Sequence, residues 1–271
     1  MAEPIRRRGR PKKDGADAPG TVQALARALD LLDLLAARPG LTLSEVAEAS
    51  GQAPSTVHRV LHTLARRGMV ESDQATQAWN IGPATFRLGS AFMRRSGLVE
   101  RARPILRALM RHTGETANLG ILDGDAVLFV AQAETQETIR AFFPPGTRSP
   151  LHASGIGKAL LAFGSPDVQE ALTARCALPR FTPTTLAEPA ALAADLVRIR
   201  HRGFSFDDEE RTRGMRCIAA PVFDLSGEAI AGISVSGPSH RIGHEHVKTL
   251  GATVAAAAAE LSEVMGGGPL S

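Results

Sequence analysis

The chain has 271 residues, 44% of them hydrophobic and 22% charged, a length and composition that suggest about two globular domains with sizeable cores. No apolar run is long enough to span a bilayer, and the basic N-terminal stretch has no apolar h-region, which argues against a signal peptide. The net charge of +3 is uneven, because residues 1–96 carry 14 Lys/Arg against 9 Asp/Glu while residues 97–271 carry 17 against 19; a basic front on a near-neutral body suggests a polyanionic partner for the front only.

Residues 1–20 contain Arg6-Arg7-Arg8-Gly9-Arg10-Pro11-Lys12-Lys13 and no apolar period, so a disordered basic arm is expected. Its Arg-Gly-Arg-Pro core looks like an AT-hook, with Arg6, Arg7, Arg8 and Arg10 available to an A·T-rich minor groove. A solvated tail without specificity is the equal alternative. A helix should follow Thr21, with Leu25, Leu29, Leu32 and Ala36 at helical spacing and Arg38-Pro39-Gly40 ending it. Thr42-Leu43-Ser44-Glu45 is a capping-box pattern opening a short helix that stops at Gly51. Pro54 suits the first turn of a third helix running to about Arg67. Two helices joined by a tight turn make a helix-turn-helix.

The third helix divides into faces. Val57, Val60, Leu61 and Leu64 share one side and should pack inward. Ser55, Arg59, His62 and Arg66 fall opposite, flanked by Thr56 and His58. Short hydroxyls and Arg near the N-terminal half suit a recognition helix reading base edges, although a solvated polar face is the common alternative. Residues 69–71 and 78–81 read as two strands of a β-wing around a polar turn. Trp79, the single Trp, is expected to pack rather than touch DNA.

Residues 83–112 look helical with a break near Gly97, and Phe86, Leu88, Phe92 and Met93 leave apolar surface suited to dimerisation. Beyond residue 113, strands are expected at Ala117–Ile121, Ala126–Ala133, Gly203–Phe206, Cys217–Pro221 and Ala229–Ser236. Helices are expected at Ser154–Phe163, Ala190–His201 and His244–Met265. The fold class is α+β: a basic arm (1–20), a winged helix-turn-helix (21–82), a linker helix (83–97), a C-terminal α/β domain (98–267) and a short tail (268–271).

Enzyme signatures are weak. Gly155-Ile156-Gly157-Lys158 fails as a phosphate loop, because that pattern needs Gly at His152 and Ser or Thr at Ala159. His240, His244 and His246 lack metal-ligand spacing with a third ligand. Cys176 and Cys217 give neither a disulfide framework nor a zinc motif. No nucleophile elbow is present. A purely architectural DNA-binding protein would not need the large C-terminal domain. The reading is a cytoplasmic protein with no cofactor, no metal and no membrane partner.

Three stretches resemble the IclR family of bacterial transcriptional regulators. They are Leu41-Thr42-Leu43-Ser44-Glu45-Val46-Ala47 with Pro54-Ser55-Thr56-Val57-His58-Arg59, then Pro150 to Ala159, then Gly203-Phe204 to Glu210 continuing through Cys217 to Val222. The resemblance implies a winged helix-turn-helix binding double-stranded operator DNA, a linker helix, an effector-binding domain, and homodimers often paired into tetramers. The Arg-Arg-Arg-Gly-Arg-Pro start, Phe181 to Leu186 and Ile233 to Ser239 resemble its glyoxylate-sensing branch, which includes regulators of allantoin use and of the β-hydroxyaspartate cycle. By that resemblance Gly155, Ile156, Asp207, Cys217, Ser234 and Ser236 would contact glyoxylate. Pyruvate or an aromatic acid is the alternative effector. Residue chemistry agrees: a helix N-terminus favours an anion, Gly155 permits close backbone approach, and Ser234 and Ser236 share a strand face. The bland alternatives are a core cysteine, solvated serines and an acidic loop at Asp207. Ile156 departs from smaller residues in relatives, which matters only if its side chain enters the pocket.

Overall fold

A computed structural model describes residues 22–164, 167, 169–170 and 178–267. The arm, Cys176 and the tail lie outside these residues, as do the side chains of Phe92 and Met93. Contacts divide the chain into two compact units, meeting in sequence at Phe92 and Met93.

The first unit orders its elements as α1 (Gln23–Ala37), β1 (Leu41–Thr42), α2 (Leu43–Ser50), α3 (Pro54–Arg66), β2 (Val70–Ser72) and β3 (Ala78–Ile81). Thr42 caps α2: its hydroxyl accepts from the Glu45 amide, and the Glu45 carboxylate accepts from the Thr42 amide. Such a cap contributes about 1 kcal/mol. Gly51 ends α2 in the left-handed region at φ 64°, where a side chain would be strained. Pro54 occupies the first turn of α3, where its missing N–H has no intrahelical partner to lose.

Leu31, Leu35, Val46, Val57, Leu61 and Val70 form the core, with Val60, Leu64 and Trp79 packed against it. Leu25 and Leu29, which mark the helical period of α1, are 58% and 50% exposed. The α1 stripe that faces the core passes instead through Leu31 and Leu35. The wing gains a strand the sequence did not announce: two-residue β1 pairs with β3, giving the order β1-β3-β2.

Helix α4 (Pro83–Ser96) is followed by Gly97 at φ 62° and then α5 (Leu98–Thr113). The second unit continues with β4 (Thr116–Asp123), β5 (Ala126–Ala133), β6 (Arg148–Pro150), α6 (Gly155–Phe163), α7 (Pro189–Arg202), β7 (Ser205–Asp208), β8 (Met215–Phe223), β9 (Ala229–Pro238) and α8 (Val247–Val264). Six strands form one antiparallel sheet in the order β6-β5-β4-β9-β8-β7. One face packs on α5 and α8 around Leu106, Leu119, Ile218, Ile233 and Val254. The other packs on α6 and α7 around Leu160, Leu192, Ile199 and Ala219.

One strand start and one helix start differ from expectation. Gly203 is the left-handed cap of α7 at φ 79°, so β7 begins at Ser205. His244–His246 is a 3₁₀ turn, with α8 starting at Val247. Among the described residues no helix is long and apolar enough to cross a membrane.

Candidate functional site

On α3, Val57 and Leu61 are fully buried. Ser55, Thr56, His58, Arg59, His62 and Arg66 are all exposed. The His58 and His62 rings lie parallel, with centroids 6.2 Å apart, as expected for side chains one turn apart. Thr63 turns its hydroxyl back to the Arg59 carbonyl at 2.8 Å. The Arg59 guanidinium has no hydrogen-bond or ion-pair partner among the described residues, so its donors face solvent.

In the second unit the sheet face beneath α6 carries two cross-strand polar rows. Pairing places Asp207 beside Cys217, Cys217 beside Ser236, and Ser236 beside Thr116. Two residues along each strand, Ser205, Ala219, Ser234, Asn118 and Gln132 line up in the same way. Residues directly opposite in antiparallel strands point to one face, which brings these polar groups together. Asn118 donates from Nδ2 to the Ser234 and Ser236 hydroxyl oxygens, each at 3.3 Å. Gln132 donates from Nε2 to Asn118 Oδ1 at 3.1 Å.

Helix α6 points its N-terminus at this row. Ser154 caps it by accepting from the Gly157 amide at 2.9 Å. A Cβ on Gly155 would lie 2.7 Å from the Cys217 sulfur, so only glycine lets the helix start so close to the sheet. The Ile156 side chain fills the space above Gly120 and Gly232, where an added Cβ would meet it at 3.2 Å and 2.8 Å. Those glycines face each other across β4 and β9.

Burial pushes the Cys217 thiol up to about 11, and the nearby Asp207 carboxylate pushes the same way. The Ser236 and Ser234 hydroxyls and the Gly155 amide pull it down. Cys217 is therefore a neutral thiol at pH 7. Burial likewise raises Asp207 to about 6 against the opposing pull of Lys158 and of the Glu210 amide, which donates to Asp207 Oδ1 at 2.8 Å.

Behind this row lies a buried charge cluster. Lys158 on α6 is fully buried and donates to Asp195 Oδ2 at 2.8 Å, Glu210 Oε1 at 2.6 Å and the Phe206 carbonyl at 2.6 Å. Burial works against its ammonium, but Glu210, Asp195 and Asp207 together hold its pKa above the ordinary value. Burial raises Glu210 to about 7, with Lys158 opposing. Asp195 ends below the usual carboxylate range: burial works to raise it, and Lys158 and Arg198 outweigh that. The cluster ties α6 to α7 and to the segment after β7. The same segment is held from the other side by Thr182 and Thr185, whose hydroxyls donate to the Glu210 carbonyl.

Residues 24–74 match the model of the IclR helix-turn-helix domain, and residues 90–263 match that of the bacterial transcriptional regulator IclR C-terminal domain. The HTH-type transcriptional regulator BhcR of Paracoccus denitrificans is 63% identical over 266 residues, covering 97% of this chain and 95% of that protein. The chain belongs to the IclR family. The HTH-type transcriptional repressor AllR of Escherichia coli is 34% identical over 263 residues, with 97% of both proteins covered. Among solved structures, an IclR homolog of Microbacterium hydrocarbonoxydans complexed with 4-hydroxybenzoate matches with TM-score 0.79 at 25% identity. That match covers 90% of this chain and 99% of the other.

As an IclR-family member the chain is a transcriptional regulator whose helix-turn-helix unit binds DNA and whose C-terminal domain takes a small-molecule effector. Of the residues singled out in the sequence, Asp207, Cys217, Ser234 and Ser236 share the polar face. Gly155 abuts it and Ile156 follows one residue into α6. Asp207 spends one carboxylate oxygen on the Glu210 amide and sits at the row's end. Sequence reasoning missed Thr116, Asn118, Gln132 and Lys158. Their signals were legible: Thr116 and Asn118 alternate on an apolar strand as the two serines do, and Lys158 interrupts the apolar run of α6.

Proposed function

We propose that a small oxoacid, glyoxylate, binds at the N-terminus of α6 and modulates operator binding by this regulator, which controls genes of glyoxylate metabolism. The observation that carries the reading is that α6 begins at Gly155 directly against Cys217, on the sheet face that Cys217 shares with Ser234 and Ser236. The first amides of a helix lack intrahelical acceptors and carry the positive end of its dipole. The thiol is neutral and the serines are donors, so a compact anion meets no like charge except Asp207. Asp207, raised to about 6, is placed to accept from the hydrated aldehyde or, when protonated, to donate. The Ile156 side chain occupies the space over Gly120 and Gly232, which favours a ligand of few atoms. The likeness to BhcR and AllR supports the same branch.

On the DNA side, Ser55, Thr56, His58, Arg59 and His62 of α3 read the operator's major groove, and Arg6, Arg7, Arg8 and Arg10 add contacts from the arm. The active species is a homodimer, paired into a tetramer on DNA in the cytoplasm. Exposed Val22 at the start of α1, Leu25 and Leu29 on it, and Phe86 and Leu88 on α4 support burial against a second copy. Calorimetric titration of the full chain with glyoxylate, pyruvate and 4-hydroxybenzoate tests the effector. Tightest binding of glyoxylate is expected. Preference for 4-hydroxybenzoate, the ligand of the Microbacterium homolog, would favour the aromatic-acid reading.

A further inference from the structure

Among the described residues, Thr116 carries the one buried unpaired polar atom on the strands of the sheet face under α6. It is fully buried, and its hydroxyl has no hydrogen-bond partner among the described residues. Buried hydroxyls are ordinarily paired, and an unpaired one loses its hydration without compensation. Its direction follows from register. Thr116 lies opposite Ser236 across β4 and β9, and Ser236 lies opposite Cys217. Asn118, two residues further on β4, reaches both serines, which confirms that this side of β4 faces the row. Glu115, the preceding residue, turns the other way and pairs with Arg241.

The hydrogen bonds also set the sense of the row. Gln132 donates to Asn118 Oδ1, so the Asn118 amide nitrogen is the end that meets the serines. Each serine oxygen thus accepts from Asn118 and keeps its own proton for another acceptor, the Cys217 sulfur or a ligand oxygen. A third hydroxyl beside Ser236 with nothing to bond extends this donor row by one position.

We propose that Thr116 is a further effector-binding residue, whose hydroxyl donates to a second oxygen of a small carboxylate ligand held by Ser234 and Ser236. The proposal rests on the effector site described above. A hydroxyl bond to a charged group typically changes binding by about tenfold or more. Thr116→Val keeps the shape and removes the hydroxyl.

The test is calorimetric titration of the full chain with glyoxylate and with pyruvate, alongside thermal unfolding without ligand. Thr116→Val should weaken the tighter of the two by about tenfold or more while leaving the ligand-free Tm unchanged or raised, because it removes an unpaired polar group. Thr116→Ser should bind within about threefold of wild type, since the hydroxyl is retained. If Thr116→Val folds poorly, Thr116→Ser against Thr116→Ala makes the same comparison. Unchanged affinity in the variants lacking the hydroxyl overturns the proposal, and if Ser234→Ala with Ser236→Ala still abolishes binding, the site itself stands. Unchanged affinity in that double serine variant, or a wild-type chain that ignores both acids, overturns the site and this inference with it.

Discussion

Replacing Lys158 with Met keeps most of the side-chain volume and deletes the one cation buried among Asp195, Asp207 and Glu210. All three N–H groups of Lys158 are engaged. Breaking a buried ion pair from one side costs about 3–5 kcal/mol, because the abandoned charge stays buried. In a unit of this size each kcal/mol moves Tm by roughly 2–4 °C, so Lys158→Met should lower it by roughly 6–20 °C. The deficit should depend on pH. Asp207 and Glu210 titrate near 6 and 7 in the folded chain, above their ordinary values of 3.8 and 4.5. Between those limits the native state binds protons that the unfolded state has lost, so stability from these groups is complete below the lower values. It is lost as pH rises through the upper ones. Without Lys158 both carboxyls rise further, so the deficit shrinks toward about pH 5 and widens toward about pH 8. Thermal unfolding of wild type, Lys158→Met and Lys158→Met with Glu210→Gln across that range is the assay, and the double variant should recover part of the loss. An unchanged Tm, or a deficit independent of pH, would refute the reasoning.

Arg59→Ala removes an exposed guanidinium from α3; it should cost roughly 1–3 kcal/mol at the operator if it reads a base, and equal gel shifts of both proteins on operator and random DNA would exclude it. Deleting residues 1–20 should flatten the slope of log affinity against log salt through lost counterion release, and an identical slope would leave the arm a solvated tail. Gly155→Ala places a methyl group 2.7 Å from the Cys217 sulfur, so it should abolish the effector response while operator binding persists; a normal response would move the ligand away from α6.

The helix-turn-helix was legible because its signals are local. Thr42 with Glu45, Gly51 and Pro54 mark ends, and the spacing of Val57 and Leu61 marks a face. On α1 the spacing of Leu25 and Leu29 announces a helix but not the phase of its core stripe, which runs through Leu31 and Leu35. Strands β1 and β6, two and three residues long, carry too little pattern to announce themselves and exist through pairing with β3 and β5. In the candidate site, Ser234 and Ser236 declared a shared face through their spacing on one strand. That Thr116, Asn118 and Gln132 join them depends on the register of three strands, which period alone does not set. Lys158 was passed over because its three partners lie 37 to 52 residues away in sequence.

The central claim is that a small oxoacid alters DNA affinity through the site at α6. Fluorescence anisotropy of labelled operator with the full chain, at fixed salt and with glyoxylate titrated in, tests it most directly. Coupling between two binding sites is typically 1–3 kcal/mol, so operator affinity should shift by about 5–150-fold. Ser234→Ala with Ser236→Ala should bind operator normally and show no shift. An operator affinity indifferent to glyoxylate, or a shift that survives intact in the double serine variant, would contradict the account.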